Sequence, residues 1–92
     1  MNNEEEIIEK LKQSTIERYY IYKGFEGKGM GANPKRDLME SIDSTVEYLK
    51  EYCERRRNRG NNDDDDLIDI CRRNIVASLR ALKEIEKEEA ER

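Results

Sequence analysis

Arg55-Arg56-Arg57-Asn58-Arg59-Gly60-Asn61-Asn62-Asp63-Asp64-Asp65-Asp66 is the stretch about which the rest of the chain is mirrored. Arginines suit the negative C-terminal end of a helix and Gly60 suits its terminator, while the Asn and Asp run supplies caps and a negative first turn for the helix that follows. Two helices running antiparallel through this turn, with paired positions summing to 124, would set Met39 against Ile85, Ile42 against Leu82, Leu49 against Ile75 and Cys53 against Cys71. A sum of 57 does the same for the preceding pair: Ile8 meets Leu49, Leu11 meets Val46, Thr15 meets Ile42 and Tyr19 meets Leu38. The pattern predicts an all-α fold, an up-down-up three-helix bundle built from two antiparallel helical hairpins that share helix 2.

Outward from the turn, helix 2 is expected over about 34–58, with Leu38, Met39, Ile42, Val46, Leu49 and Cys53 as its stripe. Asn33 followed by Pro34 starts it, because Asn caps free backbone amides and proline needs no amide partner at the first helical position. Helix 3 is expected over about 63–90, carrying Ile68, Cys71, Ile75, Leu79, Leu82 and Ile85 inward, with Val76, Ala77 and Ala81 broadening that face. Its charged tail, Lys83 to Arg92, is expected to fray. Helix 1 is expected over about 4–22, from Ile8, Leu11, Thr15, Tyr19 and Tyr22 at steps of three and four. Between helices 1 and 2, residues 23–33 hold four glycines from Gly24 to Gly31, too many for a helix. All of 1–92 reads as one helical-bundle domain.

Composition bounds the rest. Of 92 residues, 35% are hydrophobic and 43% charged, so the core must be thin and the outer faces charged. The net charge of −4 gives no global attraction for nucleic acid or an anionic membrane. No apolar run approaches the ~20 residues that cross a bilayer, and the expectation is a cytoplasmic protein without membrane association. With no His and only two Cys, a tetrahedral thiol-based zinc site lacks ligands, and no metal or other cofactor is expected.

Two basic features invite an anion. The glycine loop with Lys28, followed by Lys35 and Arg36, could offer backbone amides and cations to a phosphate, but the P-loop spacing and its preceding strand are both missing. Arg55, Arg56, Arg57 and Arg59 could hold nucleic-acid phosphates beside Tyr48 and Tyr52. The mirror registers set Glu4 to Glu6 and Asp63 to Asp66 beside those arginines, and Glu86, Glu88 and Glu89 beside Lys35 and Arg36. Such neighbours cancel most of the field within a Debye length of about 8 Å.

The spacing Glu6-x-x-Glu9 with Glu40-x-x-Asp43 resembles the paired carboxylates of all-helical nucleotide pyrophosphatases such as the MazG family, a resemblance confined to those four residues. It implies magnesium held between two helices. In the 57 register, however, Glu9 lies level with Tyr48, about 12 Å along the axis from Glu40, whereas magnesium needs carboxylates converging on one octahedral site. Without His, a Ser or Cys nucleophile lacks its usual base.

What remains is surface and thiols. Tyr48 and Tyr52 lie on a flank of helix 2 outside its main stripe, and Ile16 and Tyr20 widen the apolar face of helix 1. These four exceed what a thin core requires and suit contact with a protein partner. The expected function is therefore a non-catalytic protein-interaction or regulatory and adaptor bundle, self-associating as a homodimer. The alternative is a small nucleic-acid-binding regulator using the loop or the Arg55–Arg59 cluster. Cys53 and Cys71 form a candidate thiol pair, reduced in a reducing cytosol.

Overall fold

The structure, a computed structural model, describes residues 3–25, 33–60 and 64–91. It contains three helices: α1 (Asn3–Lys23), α2 (Pro34–Arg59) and α3 (Asp65–Ala90). Their bounds fall within two residues of those expected, because the local signals are strong. Glu4, Glu5 and Glu6 occupy the first turn of α1 and Lys23 its last, each complementing the helix dipole. Asn33 caps α2, its side-chain oxygen accepting from the Arg36 amide at 3.1 Å. Gly60 ends α2 in the left-handed region with φ 67°, donating its N–H to the Arg56 carbonyl at 2.9 Å. A side chain at that φ would be strained, so glycine fits the stop.

The three helices pack as a bundle whose shared member is α3, not α2. Ile16 and Tyr19 of α1 close on Ala81 and Ile85 of α3, and Leu38 of α2 and Tyr20 of α1 pack against that cluster. Pro34 is the one buried residue of α2, whereas α1 buries Ile8, Ile16 and Tyr19, and α3 buries Cys71, Ala77, Ala81 and Ile85. Contact between α1 and α2 is sparse. The reason lies in side-chain size: Ala77 and Ala81 let neighbouring helices approach α3 closely, and helix separation follows the residues at the contact.

Serving two neighbours turns α3 away from the expected orientation. Its buried face centres on Ala77, Ala81 and Ile85, and Leu79, expected inside, is 51% exposed. Met39, expected on the stripe of α2, is likewise half exposed, and it is Leu38 that packs against the cluster containing Ile85. The expected neighbourhood of Tyr19 and Leu38 is present in the same cluster.

Side-chain pairs show how the helices run. Along α1 and α3 they advance together, from Glu4 with Arg72, through Lys12 with Glu84 at 3.2 Å, to Tyr19 with Glu89. Along α2 and α3 they run oppositely, with Arg55 on Asp64 and Lys35 on Glu86. In the structure α3 is helical to Ala90, and the Tyr19 and Tyr20 hydroxyls donate to the Glu89 and Glu88 carboxylates, joining its charged tail to α1. Where α1 and α2 diverge near Tyr22 and Pro34, a cleft of about 220 Å³ opens, floored by Ser78 of α3. No described helix is long and apolar enough to cross a membrane.

Candidate interaction surface

Four-residue spacing sets Tyr48 and Tyr52 one above the other on α2. Their rings stack with centroids 6.5 Å apart and planes inclined by 22°. One turn further, the Arg55 guanidinium lies 4.9 Å from the Tyr52 ring centre, a cation–π contact. Arg55 is itself fixed, donating from Nε to Asp64 Oδ2 at 3.1 Å and from Nη2 to Oδ1 at 2.8 Å. These hydrogen bonds lower the Asp64 pKa and raise that of Arg55. Asp64 stands at the N-cap of α3 yet makes no side-chain capping bond, because its carboxylate is committed to Arg55. The anchored column leaves Tyr48 55% exposed.

Further apolar side chains are uncovered at this end of the bundle. Leu67 and Ile70 lie on the first turns of α3, and Ile7 near the start of α1; all three are exposed, Ile70 by half. Ile7 belongs to the widened apolar stripe of helix 1, whereas Leu67 and Ile70 lie outside the Ile68–Cys71–Ile75 stripe expected of helix 3. The available signal was that Leu67 and Ile70 fall off it at helical spacing. Of the four residues expected at a partner surface, Tyr48 and Tyr52 lie on this flank. Ile16 does not: it is buried in the core cluster, and Tyr20 packs against that cluster with its hydroxyl on Glu88. The apolar width of helix 1 thus serves α3.

The basic residues divide into paired and unpaired sets. Arg56 pairs with Asp65, and Lys35 reaches Glu86 at 3.7 Å. Arg36 stays within its own helix, 4.0 Å from Asp37 and 3.8 Å from Glu40, and does not face the tail of α3. Nor do Glu4 and Glu5 face the Arg55–Arg57 run. Glu4 meets Arg72 and Arg73 of α3, and Glu5 binds Arg80 at 2.9 and 3.0 Å, which lowers the Glu5 pKa. Parallel packing of α1 on α3 captures these carboxylates before α2 can. Arg57 and Arg59 are exposed and make no ion pair with a described residue. Lys28 and the loop from 26 to 32 lie outside the described residues.

The carboxylates of the magnesium-like spacing do not gather. Glu9 sits with Lys12 at 2.8 Å and Arg80 at 3.4 Å, while Glu40 accompanies Arg36. Among the described residues no cluster of three or more His, Cys, Asp or Glu could hold a metal ion.

Cys71 is buried and Cys53 half-buried, both as free thiols. Burial pushes the Cys71 thiol pKa up, and the electrostatic influence of Cys53 adds to it. Cys53 of α2 thus lies within electrostatic reach of Cys71 of α3.

No family model, no curated protein and no solved structure matches this chain.

Proposed function

We propose that the chain is a non-catalytic protein-interaction bundle of up-down-up topology that self-associates as a homodimer through the α2 flank. The observation that carries this reading is the pair of stacked tyrosines, with Tyr48 55% exposed, at the same end as the exposed Leu67 and Ile70. Tyrosine suits such a surface, since the ring can bury area while the hydroxyl stays wet. Both charge signs accompany the patch. Arg57 and Arg59 on one helix and Asp66 on the next make no ion pair with a described residue, which gives a two-fold contact complementary charges at its rim.

Sedimentation equilibrium on the wild type and the double variant Tyr48→Ser, Tyr52→Ser tests the reading. The variant is expected to lose the dimer while keeping its helical circular dichroism. A variant that stays dimeric overturns the choice of surface. The nucleic-acid alternative is tested in the same cell with random-sequence DNA and RNA. A tight, steeply salt-dependent complex abolished by substituting Arg57 and Arg59 would replace the protein-contact reading.

A further inference from the structure

The cleft between α1 and α2 lies at the opposite end of α2 from the tyrosine flank, and its lining mixes charged, hydroxyl and apolar side chains. Arg18 and Tyr22 of α1 form one wall, and Asp37, Leu38 and Ser41 of α2 form the other. The cleft exists because both helices lean on α3 rather than on each other, and because the floor residue, Ser78, is small.

Two opposite charges line this opening without joining. Arg18 makes no ion pair with a described residue, and Asp37 meets only its chain neighbour Arg36 at 4.0 Å. Elsewhere α1 and α3 pair readily, as Arg80 does with Glu5 and Lys12 with Glu84. Arg18 and Asp37, both exposed, therefore stand open to a ligand on the two walls of the cleft. The hydroxyls of Ser41 and Ser78 also make no hydrogen bond with a described residue. Between the charged walls lie apolar surfaces from Leu38, Pro34 and the Tyr19 ring.

From this arrangement we infer that the cleft is a binding site for a small zwitterion, an α-amino acid with an apolar side chain. Its carboxylate meets Arg18, its ammonium meets Asp37, the serine hydroxyls complete the polar contacts, and its side chain lies on Leu38. Guanidinium suits a carboxylate because its planar fork matches both oxygens. The volume of about 220 Å³ exceeds the roughly 150 Å³ cavity that accommodates benzene, which leaves room for a ring or branched chain with its charged end. A dianion would be repelled by Asp37, and a simple amine would leave Arg18 without a partner.

The experiment is an NMR titration of the ¹⁵N-labelled chain with L-phenylalanine and L-leucine, using N-acetyl-L-phenylalanine and phenethylamine as analogues that each lack one charge. The expected result is saturable shifts of amides in 15–22 and 34–41, with each analogue weaker by about tenfold, as expected for one lost charge-assisted contact. Arg18→Gln and Asp37→Asn should each weaken the amino acids similarly while preserving helical circular dichroism. Shifts that fail to saturate by about 20 mM, too weak for a specific site, would overturn the inference. Analogues that bind as tightly as the amino acids would do so too, since neither charge would then be read.

Discussion

Arg55 grips Asp64 through two hydrogen bonds, and the same guanidinium lies over the Tyr52 ring. One arginine thereby ties the end of α2 to the start of α3 and fixes the aromatic flank that the proposed function uses. The tie has a definite pH dependence. Asp64 has its pKa lowered on folding, so its contribution is present above the ordinary carboxylate value of about 4 and is lost as pH falls through the depressed folded value. Urea midpoints of wild type and Asp64→Asn should differ by a constant amount from about pH 5 to 7 and draw together as the pH falls through the depressed value. A gap undiminished at the acid end would show that the carboxylate charge is irrelevant.

The turned face of α3 predicts an unequal response along that helix. Ile85 is fully buried and Leu79 is half exposed. Ile85→Ala should cost about 2 to 5 kcal/mol, and Leu79→Ala less than about 1 kcal/mol. Ala81→Leu, which forces a large side chain between α1 and α3, should cost about 1 to 3 kcal/mol. Chemical denaturation checks all three, and an Ala81→Leu variant as stable as wild type would refute close packing at that position.

The tyrosines of α1 hold the end of α3. Tyr19→Phe with Tyr20→Phe removes both hydroxyls from the Glu89 and Glu88 carboxylates while keeping the rings. Amide hydrogen exchange over 86–90 should then accelerate by about tenfold, with the rest of α3 unaffected. No change there would mean that the tail is held by other contacts.

Helix limits were legible because they rest on local chemistry: the Asn33-Pro34 start, the Gly60 stop and the acidic first turns. The Tyr19–Leu38 neighbourhood was legible because antiparallel hairpins keep a constant sum of residue numbers. Parallel packing keeps a difference instead. Arg80 reaches Glu5 and Glu9 across separations of 75 and 71 residues, and Tyr19 reaches Glu89 across 70, none of which a mirror about a turn can reveal. For that reason the role of α3 as shared helix, the exposure of Leu79 and Met39, and the partners of Glu4 and Glu5 were misread. At the surface, periodicity identified Tyr48 and Tyr52 as a flank. It could not tell that Ile16 faces α3, because a second apolar flank looks alike whether its neighbour is another helix or water.

The thiols offer a chemical check on the α2–α3 contact. Burial and the neighbouring Cys53 both keep Cys71 protonated to higher pH than an ordinary thiol. Iodoacetamide at about pH 8 should therefore alkylate Cys53 at least roughly tenfold faster than Cys71, as followed by mass spectrometry of each peptide. Equal rates would place Cys71 in solvent and break the contact.

Under the proposed function two copies of the bundle meet through the α2 flank, and the molar mass in solution reads that contact out. Light scattering coupled to size exclusion at tens of micromolar, within reach of a modest dimer affinity, should return twice the 11.0 kDa chain mass and fall toward the single-chain value on dilution. A mass that stays at 11.0 kDa across that range would contradict self-association and assign the exposed tyrosines another role.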